Sequence, residues 1–184
     1  MQQRQVLIAG FFGFLAVWLC LLAASQVQAA SGNGPYYAEP SWSQKLPAAT
    51  RFVVLTDWNN EAVLDRNTGL VWERSPETAI WAFENARRVC LNRAVGGQMG
   101  WRLPSIPELM SLVDPSVASP GPTLPPGHPF TNTQALRYWS ATRFTAEVPR
   151  VWTANFESGH TSTLFDLNTA PIWCVRGGMN ADAY

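Results

Sequence analysis

The sequence predicts an α+β domain with antiparallel strands, on three observations. Apolar residues recur at helical spacing from Ile80 to Cys90, and the capping box Ser105-Ile106-Pro107-Glu108 opens a second helical stretch. The later part of the chain instead strings short β-branched and aromatic runs between turn residues. Hydrophobic residues make up 47% of the 184 and charged residues 14%, so there is ample apolar matter for a core and a disordered chain is excluded. Helices first and strands after them, with no internal repeat, define α+β.

The N-terminus reads as a targeting segment. Arg4 lies in a short polar start, and Val6–Ala24 is an unbroken apolar run. Val27-Gln28-Ala29 then puts small residues three and one before a cut, so cleavage is expected after Ala29. The alternative is an uncleaved anchor, because the apolar run just spans a bilayer at about 1.5 Å per residue. The expected partition is a signal over 1–29, an arm or linker over 30–50, a folded domain over 51–178 and a tail over 179–184. The expected location is periplasmic or secreted, in a bacterial cell envelope, with membrane contact only through an uncleaved signal.

Thirteen Lys+Arg balance thirteen Asp+Glu, which argues against a nucleic-acid partner held by a basic face. Cys20 leaves with the signal. Cys90 and Cys174 remain, far apart and without a CxxC, and in an oxidising compartment they read as a structural disulfide. Closing so long a loop is worth roughly 4–5 kcal/mol in the chain-entropy account.

Each element has a local reason. Phe52–Leu55 is a first strand. Ala62–Asp65 and Leu70–Glu73 flank Arg66-Asn67-Thr68-Gly69 as a hairpin. Ser75 with Pro76 is expected to start the first helix, whose stripe is Ile80, Phe83, Ala86, Val89 and Cys90. Ser105 and Glu108 box the second helix, with Leu109, Leu112 and Val113 inward, and Asp114-Pro115 stops it. The proline-rich stretch Pro115–Leu136 is too long for an ordinary turn and is expected to be functional or packed on itself. Strands follow at Tyr138–Thr142, Val151–Phe156, Thr161–Asp166 and Ile172–Arg176.

An ordered set of motifs adds a resemblance. Asp65-Arg66-Asn67-Thr68-Gly69-Leu70-Val71-Trp72 comes first, then Cys90. Gly100-Trp101-Arg102-Leu103-Pro104-Ser105-Ile106-Pro107-Glu108-Leu109 is the most recognisable block. His128-Pro129-Phe130, Tyr138-Trp139-Ser140-Ala141-Thr142 and Cys174-Val175-Arg176 complete it. Together they resemble the Lcl C-terminal-like domains, secreted bacterial domains of unknown function related to the C-terminal domain of a collagen-like adhesin. The resemblance implies a C-type-lectin-like fold: two helices, a small twisted antiparallel sheet, long ligand-bearing loops, and a disulfide from the first helix to the last strand. No Gly-X-Y tract is present, and the Glu-Pro-Asn and Trp-Asn-Asp signatures of calcium-dependent sugar binders are missing.

No catalytic set stands out, and the expectation is that the protein is not an enzyme. His128 and His160 are isolated, so neither a metal nor another cofactor is expected. The acids after residue 110 are well separated, so calcium is not expected either. Trp72, Trp101, Trp139 and Trp173 read as core. Arg102 and Arg176 read as structural, with Glu108 and Asp65 as candidate partners. The expected function is an extracytoplasmic binding or adhesion module that recognises a surface glycan or an envelope protein through its loops. Arg143, Arg150, Trp152, His128 and His160 are the candidate ligand residues: arginines for an acidic group, Trp152 for stacking on a sugar. The alternative is a structural or accessory subunit of a surface assembly.

Overall fold

The structure, a computed structural model, describes residues 46–145 and 148–178. The expected signal, most of the arm and the C-terminal tail lie outside the described residues. The element order is α1 (Ala48–Arg51), β1 (Phe52–Val54), a 3-10 turn (Thr56–Trp58), β2 (Ala62–Asp65), β3 (Val71–Glu73), β4 (Ile80–Ala82), α2 (Phe83–Leu91), β5 (Trp101–Arg102), α3 (Ile106–Ser111), β6 (Arg137–Phe144), β7 (Arg150–Asn155), β8 (His160–Phe165), β9 (Thr169–Pro171) and β10 (Val175–Arg176). The strands form three sheets, ordered β1-β2-β3-β10-β5, β4-β9 and β6-β7-β8.

This corrects the expected fold class. With ten strands in three sheets and only short helices, the described chain is mostly β and is not a two-helix, C-type-lectin-like α+β fold. The reason is visible at the first expected helix. Ser75 and Pro76 carry good start signals, yet Ile80–Ala82 pairs antiparallel with Thr169–Pro171. A β-branched residue and an aromatic suit that ladder, and long-range pairing outweighs the local cap. Helix α2 therefore begins only at Phe83, after Ala82, with no side-chain cap.

The last expected strand is also shorter than its apolar run. Ile172, Trp173 and Cys174 are buried outside any strand, and the ladder resumes at Val175. There the Cys174 N–H donates to Glu73 Oε2 at 3.0 Å, so a side chain replaces a strand partner. The β2–β3 hairpin follows its turn residues. Gly69 adopts φ 74° and donates to the Asp65 carbonyl at 2.8 Å, while Asp65 Oδ1 accepts from the Asn67 N–H at 3.0 Å.

Two aromatic clusters fill the interior. In one, Trp173 meets Phe130 at 4.9 Å, Phe156 at 5.6 Å and Trp72 at 5.7 Å between ring centres. In the other, Phe83 meets Trp139 edge-on at 5.8 Å, beside Trp101 and the disulfide between Cys90 and Cys174. Trp72, Trp101, Trp139 and Trp173 are all fully buried, as large aromatics at a small sheet must be.

The stretch between α3 and β6 is stitched down. The Thr123 and Gly121 N–H groups donate to the Phe156 and Glu157 carbonyls, both at 2.8 Å, and Leu124 and Phe130 enter the core. Gly121 is required by this approach: a Cβ there would lie 2.0 Å from the Phe156 carbonyl oxygen.

Helix α3 forms as its sequence directs. Ser105 Oγ accepts from the Glu108 N–H, and Glu108 Oε2 accepts from the Ser105 N–H at 2.7 Å. The same carboxylate takes a forked bond from Arg102, at 2.6 and 2.8 Å. Burial pushes the Glu108 pKa up, but the Arg102 and Ser105 bonds outweigh it and the net shift is down. A carboxyl with a lowered folded-state pKa adds stability above its unfolded value of 4.5 and loses it as pH falls through the folded value. Glu108→Gln is therefore expected to flatten the loss of stability below pH 4.5, measured as the denaturation midpoint at pH 3 to 7. An unchanged acid limb would show that Glu108 does not titrate with folding.

Candidate functional site

The sheet β6-β7-β8 is buried in the core at its Tyr138–Ala154 end and exposed on the same face at its Phe144–Arg150 end, and its register decides which candidate residues meet. Phe144 lies opposite Arg150, and Arg150 opposite Phe165. Directly opposed residues share a face, and residues two apart along a strand do too. Trp152 and Thr163, also opposed, therefore join the same face. The contacts agree. Phe144 and Trp152 meet edge-on at 5.5 Å, and the Arg150 guanidinium lies 4.1 Å from the centre of the Phe165 ring. Arg150 also donates to Thr163 Oγ1 at 3.3 Å. Phe144 and Phe165 are 38% and 42% exposed, and Trp152 and Arg150 are half-buried. These four side chains make an exposed aromatic platform with a cation stacked on it.

Arg143 does not belong to this platform. It is opposite Val151, which is buried, so it projects to the other face of the sheet. There it pairs with Glu84 at 2.5 Å and lies 4.9 Å over the Phe83 ring. One register step separates two arginines that the sequence reading had grouped. His160 is exposed at the start of β8, opposite Asn155 and about 17 Å along the strand from Phe165 at 3.3 Å per residue. His128 packs on Phe130 at 5.8 Å, and its Nδ1 is buried with no hydrogen-bond partner among the described residues. Burial lowers its pKa, which favours the neutral ring. Thus Arg150 and Trp152 come together, and Arg143, His128 and His160 lie apart from them. Phe144 and Phe165 were missed; the signal was their position as aromatics at the ends of alternating strands.

A second concave region was not legible in the sequence. A groove of about 720 Å³ is lined by Glu61, Glu73, Arg74, Glu77, Arg93 and Asn132, among others. Its charges are turned on one another. Arg93 Nε lies 3.0 Å from Glu73 Oε1, and the same guanidinium pairs with Glu77. Glu61 accepts from the Gly96 N–H at 2.6 Å, and Arg74 donates to the Pro129 and Asn60 carbonyls. Burial pushes the Glu73 carboxyl up despite its bond from Cys174 and the nearby Arg93. This groove is a network joining Arg93, just after α2, to β3 and the Pro129–Asn132 segment.

The two arginines flagged from sequence resolve differently. Arg102 takes Glu108, one of its two candidate partners. Arg176 takes no part with Asp65; it donates to the Met99 carbonyl at 2.8 Å and lies 5.2 Å over Trp58, while Asp65 is held by Arg51. Among the described residues, no group of three or more His, Cys, Asp and Glu side chains converges to hold a metal ion. Nor is any described helix long and apolar enough to cross a membrane.

The fold and site together define a disulfide-tied, mostly β domain with an exposed aromatic and arginine sheet face. The profile of the Lcl C-terminal domain matches residues 61–176, and the chain belongs to that family. No match was found among curated proteins. The Cys90–Cys174 bond and the family membership are both compatible with an extracellular location.

Proposed function

We propose that this is a non-enzymatic binding module, exposed in the periplasm or at the cell surface, that recognises a surface glycan or an envelope protein. What supports the reading is the grouping of Phe144, Arg150, Trp152 and Phe165 on one open sheet face. Such a face offers stacking area at low ordering cost, because the rings sit on paired strands, and Arg150 adds a cation for an acidic group. The surface lies on strands more than on loops, which refines where ligand contacts are sought.

A glycan array, followed by pull-down from an envelope extract, tests it. Trp152→Ala is expected to weaken binding by roughly 1.5–3 kcal/mol, the range of an interface aromatic anchor, with little change in melting midpoint. Arg143→Ala is expected to leave binding unchanged, because it sits on the opposite face. Binding that survives Trp152→Ala and Phe165→Ala would move the site elsewhere. A single stoichiometric protein partner whose capture ignores this face would favour a structural or accessory subunit instead.

A further inference from the structure

We infer that two copies of this chain pair through β8, strand against antiparallel strand, about a two-fold axis at Thr163. Strand β8 ends the order β6-β7-β8 and is laddered only to β7. Its six residues run in unbroken register from Phe165 opposite Arg150 to His160 opposite Asn155. Native edges are commonly blunted by Lys, Pro, a bulge or shortness. The other edge of this sheet follows that rule. β6 shifts register between Trp139 and Arg143, and its Ala141 N–H is spent on the Pro104 carbonyl at 2.6 Å. The edge strands of the other sheets, β1, β5, β4 and β9, are only two or three residues long. β8 lacks most of these protections: His160-Thr161-Ser162-Thr163-Leu164-Phe165 is regular, β-branched and free of Lys, Pro and acids, and only at its end does the Phe165 carbonyl already accept from the Asn168 N–H at 2.9 Å.

The occupant is a second copy because the strand is complementary to itself. An axis at Thr163 sets Thr163 opposite Thr163, Ser162 opposite Leu164, and Thr161 opposite Phe165. It also sets His160 opposite Asp166 of the second copy, twice by symmetry, and no like charges face each other. The formal net charge of zero adds no long-range repulsion. An axis through a residue pairs even with even and odd with odd, so each face of one sheet continues onto the same face of the other. The contact is isologous and closes as a dimer without leading to a fibre. It yields one six-stranded sheet with two copies of the Phe144, Arg150, Trp152 and Phe165 platform on the same side, a geometry suited to a repeating ligand. The dimer itself does not depend on the glycan reading.

Sedimentation of the protein purified from the full chain, across a concentration series, is expected to show a monomer–dimer equilibrium. Thr163→Cys is expected to form a covalent dimer under non-reducing conditions. Directly opposed residues of antiparallel strands lie about 4.5–5.5 Å apart at Cα, within disulfide reach. Asn168→Cys, which has no self-opposed position, is expected to stay uncoupled. Thr163→Lys sets two like charges across the axis and is expected to abolish the dimer, while circular dichroism at the concentration sedimented shows the chain still folded. A wild type that stays monomeric at every concentration overturns the inference. So does a dimer that Thr163→Lys leaves intact, or a Thr163→Cys chain that couples no better than Asn168→Cys.

Discussion

The paired substitution Cys90→Ala with Cys174→Ala is expected to cost about 2–5 kcal/mol, the usual loss when a native disulfide is removed. Three features put this bond at the upper part of that range. Both cysteines are fully buried, in the cluster that holds Phe83, Trp101, Trp139 and Ile172. The bond spans 84 residues, so it restrains a long stretch of the unfolded chain. It also fixes the segment Ile172–Cys174, which has no strand ladder and relies on the exchange between Cys174 and Glu73. Two alanines leave a small cavity there, which adds to the cost. The measurement is thermal unfolding of wild type and double mutant, with wild type repeated in reductant. A shift of about 2–8 °C per kcal/mol is the scale for domains of roughly this size. Coincident curves for reduced and oxidised protein would show that aromatic packing alone holds the last segment in place.

How much of this was legible in sequence depends on whether the deciding interactions are local. The capping box of α3 and the β2–β3 hairpin were legible, because Ser105 with Glu108, and Asp65 with Gly69, act within a few residues. The disulfide was legible by composition and compartment. The three-stranded sheet was legible within a residue or two at each end. What failed was long-range. Ser75-Pro76-Glu77 signals a helix start, but Ile80–Ala82 is claimed by Thr169–Pro171, some ninety residues later. That pairing shortened the first helix to Phe83–Leu91, and the unexpected short strands β4, β5 and β9, added to the expected ones, make the described chain mostly β. The candidate site failed for the same kind of reason. Arg143 and Arg150 are close in sequence, but the strand pairings that put them on opposite faces become visible only once β6 and β7 are in register. Phe144, one residue from Arg143, falls on the aromatic face.

Asp65→Ala is expected to be the most damaging polar substitution, costing about 3–5 kcal/mol, because it strands a buried guanidinium. Arg51 donates to Asp65 Oδ1 at 2.8 Å and to Oδ2 at 2.7 Å, and also to the Ser111 carbonyl at 2.7 Å. Arg51 is 8% exposed and Asp65 0%. One charge pair thus ties α1, the β2–β3 turn and the end of α3, three segments that share no strand ladder as a group. Neither Arg102 nor Arg176, the partners expected for Asp65 from sequence, holds it; Arg51 does, from the expected boundary between arm and domain. In low dielectric the pair roughly balances its desolvation, so the damage comes from removing one partner and not from lacking the pair. Replacing both, as Arg51→Met with Asp65→Leu, is therefore expected to cost less than Asp65→Ala alone, although the Asn67 N–H and Ser111 carbonyl lose their partners. Chemical denaturation of Arg51→Met, Asp65→Leu and the double mutant closes the cycle, and a coupling of about 1–3 kcal/mol is expected. If the double mutant is as unstable as the two single changes summed, the pair is not coupled and Asp65 acts through its turn alone.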